Sequence, residues 1–369
     1  MDFNSERADS DRLQKWLESL EPASRHLSGT GGVRVHLVAD RVGLHVEATR
    51  LIDGDHPLAR PVEPLGEREE DLPIVALLVA ATVMTIAFIL TRLSGDLAIS
   101  IAGPNATQAD VDAVRKAYGL DRPLTIQFFD WAGRAIRGDL GDSYFFKTRV
   151  SSLIGERMPV TLTLGLTGLV IALLVSLPLG VLAAVKENTW FDRIVQMVAL
   201  LGQAMPGFWL GLMMMIVFGL WLGWLPISGT ETWDSYVMPG IVLAFSAIPA
   251  LTRLTRAGMV QALASDYIRT ARAKGLSRLS ILLKHALRNA AIPVVAIAAV
   301  QLGFMLGGSI VIEQVFALHG VGFLAWESIQ KNDFPVVQSV VLVLAVIYVA
   351  LTMLSDLLNA VLDPRLRGA

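Results

Sequence analysis

The sequence predicts an all-α membrane protein that crosses the bilayer six times, preceded by a small water-soluble extension. Three observations carry this. Hydrophobic residues make up 53% of the 369 residues and charged ones 17%, with a mean hydropathy of +0.55, a balance too apolar for a globular domain with a solvated surface. The apolar residues gather into runs near the roughly 20 residues that a helix, rising about 1.5 Å per residue, needs to cross a hydrocarbon core of about 30 Å. Charges stand at the ends of these runs, as Arg92 and Arg253 do. Inside lipid every backbone polar group needs a partner within the protein, which helices supply and open strands do not.

Residues 1–72 hold nine Lys and Arg against fifteen Asp and Glu, a local charge of −6 that leaves +4 for the rest. Within this extension Leu13, Trp16, Leu17 and Leu20 form a helical stripe behind Ser10. Val33, Val35 and Leu37, then Val42, Leu44 and Val46, alternate as two strands joined at Asp40–Arg41. Residues 53–71, rich in proline and acids, read as a linker. So few apolar residues do not build a strong independent core. No apolar run precedes Pro73, so the first span is expected to act as its own targeting signal.

The six spans are Pro73 to Leu93, Met158 to Val185, Ile194 to about Trp221, Val237 to about Leu254, Ala291 to Ile312 and Val336 to about Leu354. The long first connection, 94–157, reads as a folded scaffold. Thr107 with Asp110 makes a capping box, Val111, Val114 and Tyr118 follow at helical spacing, and Gly119 closes the helix. Its aromatic residues Phe128, Phe129, Trp131, Tyr144, Phe145 and Phe146 suit short helices at the membrane interface. Pro178, Pro206 and Pro249, within or near spans, remove backbone donors and stand either for static kinks or for bends used in gating.

Orientation follows from the short loops. The fourth connection and its flanks carry Arg253, Arg256, Arg269, Arg272, Lys274, Arg278, Lys284 and Arg288 against Asp266 alone, which places them in the cytoplasm. The third connection, around Glu231 and Asp234, and the fifth, with Lys331 against Glu313, Glu327 and Asp333, belong outside. Both termini are then cytoplasmic, in agreement with Arg365 and Arg367 in the tail.

Several functions are disfavoured. A net charge of −2 gives nucleic-acid binding no electrostatic support, and the absence of cysteine removes thiolate metal sites and a Cys nucleophile. Glycine is nowhere followed by lysine, so the phosphate-cradling loop of an ATPase is missing. His36, His45 and His56 match no ligand spacing, and no metal site is expected from them. No paired carboxylates and no Ser/His/Asp set converge from the spans.

The fourth connection, 258–290, carries the most specific pattern: Asp266, Tyr267, Ile268, Arg269, Thr270, Ala271, Arg272, Ala273, Lys274, Gly275 and Leu276, then His285, Ala286, Leu287, Arg288 and Asn289, then Pro293. It reads as a short helix, a glycine turn and a second helix. Thr270, Ala271 and Ala273 would let another surface approach closely, and Gly275 permits a backbone reversal. Topology alone also accounts for the arginines.

This stretch resembles the cytoplasmic coupling loop of permease subunits in binding-protein-dependent ABC importers of the dipeptide, oligopeptide and nickel group. The superfamily pattern Glu-Ala-Ala, three residues, Gly, nine residues, Ile-x-Leu-Pro is half matched. Arg269, Thr270 and Ala271 fall on Glu-Ala-Ala, Gly275 on Gly, His285 on Ile, Leu287 on Leu and Arg288 on Pro. The peptide-group variant, Arg-Thr-Ala-Arg-Ala-Lys-Gly with His-Ala-Leu-Arg-Asn, is present residue for residue. Further blocks agree in order: Tyr118 to Asp121, Gly138 to Gly141, Pro206 to Gly211, Gly223 to Pro226, Arg253 to Arg256 and Leu362 to Arg365. His319-Gly320-Val321-Gly322 stands where the family often has Pro-Gly-x-Gly. The likeness spans about Ile74 to Arg367, and the acidic extension departs from the short basic start usual in the family.

The resemblance implies a six-helix type I ABC importer permease bundle over 73–369, a transport subunit without an ATPase site of its own. Its implied partners are a second homologous permease, two ABC ATPases that use ATP and Mg, an extracytoplasmic solute-binding protein and the lipid of a bacterial or archaeal plasma membrane. No cofactor is implied for this chain. Peptide is the expected cargo, with nickel or a related small solute as the narrower option. Gln301, Gly303, Gly307 and Gly308 on the fifth span are candidate translocation-path residues, although small residues four apart also serve close helix packing. An ion-coupled secondary transporter is the alternative. It is disfavoured because such carriers keep ionisable groups within their spans.

Overall fold

The computed structural model of the chain describes residues 33–40, 43–50, 72–93, 95–103 and 105–362. The chain divides into two units, Met1–Arg68 and Glu69–Ala369. In the first, strands β1 (Val33–Asp40) and β2 (Gly43–Arg50) pair antiparallel, with Val33 opposite Arg50 and Asp40 opposite Gly43. The alternation predicted this hairpin, with its corner at Asp40–Arg41. The pairing ends at Asp40 and Gly43, and Arg41 and Val42, which the alternation assigned to the corner and to the second strand, lie outside the described residues. The stripe Leu13 to Leu20, the linker 53–71 and the tail arginines Arg365 and Arg367 lie outside the described residues.

The second unit is helical. Helix α1 (Leu72–Leu93) is the first apolar segment. The scaffold follows as α2 (Leu97–Ala102), α3 (Gln108–Ala117) and α4 (Leu124–Ile136). The Thr107–Asp110 capping box is present, and its hydrogen bonds hold the Asp110 carboxyl below the usual range. Gly119, at φ +63°, closes α3 as its left-handed cap. Phe88 on α1 meets Phe128 on α4 edge to face at 5.4 Å, which ties the scaffold to the first span.

Among the described residues four helices are long and apolar enough to cross a membrane, α5 (Val150–Val185), α8 (Val237–Ala264), α10 (Arg278–Val315) and α12 (Phe334–Leu362), while the apolar stretch Leu78–Leu93 of α1 is shorter. Each of the four extends beyond its apolar run. Helix α5 starts at Val150 rather than Met158, and α8 continues ten residues past Leu254 to Ala264. Hydropathy measures the thickness of the hydrocarbon, whereas a helix continues into water until a cap or a turn stops it. Pro178 and Pro249 sit inside continuous helices.

The third predicted span is corrected. It is two helices, α6 (Trp190–Ala204) and α7 (Gly207–Trp221), bent by 98° at the joint. Pro206 has no N–H, and its ring pushes the preceding Met205 out of the helical region to φ −85°, ψ 128°. The last stretch of α7, Met215–Trp221, is wound as a π-helix. A short helix, α11 (Val321–Gln330), separates α10 from α12.

Close approach of α5, α8 and α10 forms the centre. A Cβ on Gly180 of α5 would stand 2.5 Å from Thr255 Cβ and 2.9 Å from the Thr252 carbonyl oxygen on α8, and one on Gly258 would stand 3.2 Å from the Ala290 Cα on α10. Around these contacts Leu164, Met238, Leu251, Val294 and Phe316 are buried almost completely. Lipid is as apolar as these side chains, so packing of small residues, not exclusion from water, selects this helix arrangement. Gly180→Val should therefore force α5 from α8, at about 1–3 kcal/mol, and lower the melting temperature in detergent by several degrees. Gly307→Ala, where a Cβ meets nothing within 4 Å, should leave it unchanged. Equal melting of the two variants would refute the packing assignment.

Candidate functional site

Two features stand out, a short docked helix and a cavity. The stretch Asp266–Ala273 forms α9. Its end is a Schellman motif: the Gly275 amide donates to the Arg272 carbonyl at 3.0 Å and the Leu276 amide to the Ala271 carbonyl at 3.3 Å, with Gly275 at φ +73°. Ile268 is fully buried and Ala271 nearly so, in a cluster with Met259 and Ala262 of α8 and Ile281, Ala286 and Ala290 of α10. Ala271 thus faces the bundle, which corrects the reading that grouped it with Thr270 and Ala273 as an approach surface. Asp266, Tyr267, Arg269, Thr270, Arg272, Ala273, Lys274, Gly275 and Leu276 are exposed. Asp266 and Arg269 form an exposed ion pair of 3.1 Å.

The second helix expected after the glycine turn is the first part of α10 itself, which runs unbroken over 38 residues. It contains a π-turn at Ile281–Ala286. His285 and Leu287 are half-buried there, and Arg288 and Asn289 are exposed.

Above α9, Arg256 on α8 holds Asp192 on α6 with both carboxylate oxygens engaged, Nε to Oδ1 at 2.7 Å and a terminal nitrogen to Oδ2 at 2.6 Å. The Asn188 amide donates to the same carboxylate at 3.1 Å. Asp192 is 4% exposed. The family block around Arg256 pointed to the cation, and the structure supplies its partner from the first turn of α6.

The cavity lies between the α6–α7 joint, α8 and α10, with a volume of about 610 Å³. Its polar lining comes from Gln203, Ser246 and Gln301, and the rest is apolar side chain or glycine, including Gly207 and Gly308. Of the predicted path residues, Gln301 and Gly308 line it. Gly303 does not: a Cβ there would stand 2.6 Å from Tyr348 Cδ2 on α12, so this glycine serves helix packing. Gly307 is exposed and outside the lining. Gln203 and Ser246 escaped the sequence reading because a lone polar residue in an apolar run carries no pattern.

Two acids counted among the loop charges are buried and hydrogen-bonded. Glu313 lies within α10, fully buried, where it accepts from Thr161 Oγ1 at 2.7 Å, Ser309 Oγ at 2.9 Å and the Phe323 amide at 2.8 Å. It thereby caps the start of α11. Asp333 accepts from the Ser143 hydroxyl and from the Tyr144 and Phe145 amides at 3.1 Å, which fastens the scaffold to the α11–α12 corner. Burial beside it pushes the Tyr144 phenol up to about 12. Among the described residues no group of His, Asp and Glu side chains is arranged to hold a metal. The side chains of His36, His45 and His56 are outside that description.

Residues 176–368 match the family described as "Binding-protein-dependent transport system inner membrane component", and residues 68–165 match its N-terminal companion, "Binding-prot-dependent transport system membrane comp, N-term". The chain is 39% identical over 296 residues to the "Glutathione transport system permease protein GsiC" of Escherichia coli (strain K12), covering 80% of this chain and 96% of that one. The protein of the same name from Salmonella choleraesuis (strain SC-B67) matches at the same identity and coverage. Among solved structures, the MetNI methionine ABC transporter in an inward-facing conformation aligns over 57% of this chain and 96% of its own, at 20% identity and a TM-score of 0.49.

The Arg256–Asp192 pair yields a direct test. Asp192 is buried while Arg256 is half-buried, so removing the cation leaves an uncompensated carboxylate at a cost of about 1–3 kcal/mol. Arg256→Met should accordingly destabilise the detergent-extracted protein more than the double variant Arg256→Met/Asp192→Leu, which removes both charges. Thermal melts in which the single variant is the more stable would overturn the assignment.

Proposed function

The chain belongs to the binding-protein-dependent transport system inner membrane component family, and from that membership we propose that it forms half of the path along which an ATP-driven importer moves short peptides. That it is a multi-pass permease subunit follows from the family and from its apolar helices. The proposal of a peptide cargo rests on one observation, the 39% identity to permeases named for glutathione, which is itself a tripeptide. Nickel and its chelates are the narrower option.

In this reading the remainder of the path comes from a second homologous permease, the solute from an external binding protein, and the energy from two ABC ATPases. The exposed face of α9, with Tyr267, Arg269, Thr270, Arg272 and Lys274, enters a cleft in the ATPase. Closure of the ATPases on ATP moves α9, and the buried Ile268 and Ala271 pass that displacement to α8 and α10. Both termini lie on the ATPase side.

Gly275 is the position to test. A residue with a branched Cβ at φ +73° strains the backbone by about 1–2 kcal/mol, yet no atom stands within 4 Å to clash with it. Gly275→Val should insert and assemble but lose most uptake while ATP hydrolysis continues. Undiminished uptake by this variant in vesicles would remove the coupling role. The assembly itself is tested by gentle extraction of the tagged chain. Co-purification of a P-loop ATPase and a second six-span protein is expected, whereas an isolated chain whose uptake follows an ion gradient would overturn the reading.

A further inference from the structure

The cavity is chemically narrower than its size. At about 610 Å³ it falls in the range that encloses a small organic ligand, and it opens beside Phe208, Phe304 and Val311, which are about half exposed. Among the described residues no carboxylate, imidazole, ammonium or guanidinium group lines it. Its polar groups are two carboxamides and one hydroxyl, each from a different helix: Gln203 near the end of α6, Ser246 on α8 and Gln301 on α10. Ser246 and Gln301 stand near the middle of the fourth and fifth apolar runs, where a polar group without a partner is costly. The Ser246 hydroxyl donates to the Leu243 carbonyl at 2.8 Å, which leaves its oxygen free to accept. Neither glutamine carboxamide is engaged in a hydrogen bond with another described residue.

A carboxamide can donate to a peptide bond's C=O or accept from its N–H, and because these point in opposite directions in a trans peptide unit, polar groups on different walls of the cavity are suited to engage both. A bare divalent cation asks for the opposite, a set of anionic oxygens or imidazoles that offsets its charge. We propose that Gln203, Ser246 and Gln301 form a mid-membrane subsite that hydrogen-bonds the peptide bond of the passing solute and does not accept a free divalent cation. This deepens the reading of the chain as a peptide permease and rests on it.

The test uses the complete transporter in vesicles with ATP and saturating loaded binding protein, so that capture is not limiting. Uptake of a labelled short peptide is compared with that of its N-methylated analogue, which lacks the peptide N–H, and with that of nickel ions. The wild type should carry the peptide about tenfold faster than the analogue, the equivalent of about 1.4 kcal/mol, and nickel ions not at all. Gln301→Leu and Gln203→Leu, similar in size, should each bring the two peptide rates close together by slowing the unmodified one. An unchanged ratio in both variants would overturn the subsite, as would a wild-type ratio near one, a result that needs no variant. Uptake of nickel ions without peptide in the wild type would instead overturn the peptide reading itself.

Discussion

In hydrocarbon each backbone N–H and C=O must find its partner inside the protein, and this constraint decides where the chain can be irregular. Four long helices satisfy it except where Pro159, Pro178, Pro249 and Pro293 free a carbonyl within them. A sharper departure is the joint at Met205 and Pro206, where the chain turns through 98° between α6 and α7. Irregular backbone at such depth is tolerated where it borders a cavity, and Gln203, Gly207 and Phe208 around this joint line the cavity of about 610 Å³. The break and the cavity are therefore one feature. Proline ends the helix, and the space beside it makes the ending tolerable.

Polar ties then hold the ends of the bundle. Toward α9, the Arg256–Asp192 pair joins α8 to α6. At the opposite end Glu313 joins α10, α5 and the start of α11, while Asp333 fixes the scaffold. Among the described residues Glu313 has no cation partner; it is matched by hydroxyl and amide donors at the start of α11. Gly320 and Gly322 make room for it, since a Cβ on either would stand within 3.0 Å of its Oε2. That crowding gives a local reason for glycine at both positions around His319 and Val321.

The sequence was legible wherever one residue type answers one local demand. Apolar runs predicted the spans, Thr107 and Asp110 the capping box, and Gly275 the left-handed turn, because each of these is set within a few residues of chain. What it did not reveal depends on contacts far apart in the chain. Glu313 looked like a loop acid until Thr161, over a hundred residues earlier, met it. Gly303 and Gly308 look alike in one dimension, yet one packs on Tyr348 and the other borders open space. The 98° bend was signalled by Pro206, but Pro178 and Pro249 give the same signal inside continuous helices. Proline alone does not say whether neighbouring helices will re-satisfy the freed carbonyl.

The same connectivity bears on how the docked helix and the cavity work together in the proposed importer. Helix α10 begins at Arg278, just beyond the Gly275 turn, and continues unbroken past Gln301 to Val315. Helix α8 carries Ser246 in its apolar half and Met259 and Ala262, which pack on α9, at its other end. Two walls of the cavity are thus the far ends of the two helices on which α9 rests. Interiors packed as closely as Gly258 on Ala290 do not absorb a displacement by compressing. A movement imposed on α9 is accordingly carried along α8 and α10 as shifts of whole helices. The third wall hangs on the α6–α7 joint, and Arg256 binds the start of α6 to α8, so that α6 follows α8 while α7, beyond the break, need not. In that importer a change at α9 alters the cavity by moving Ser246 and Gln301 relative to α7, and the hinge for that change is the joint at Met205 and Pro206, where the backbone already departs from a helix.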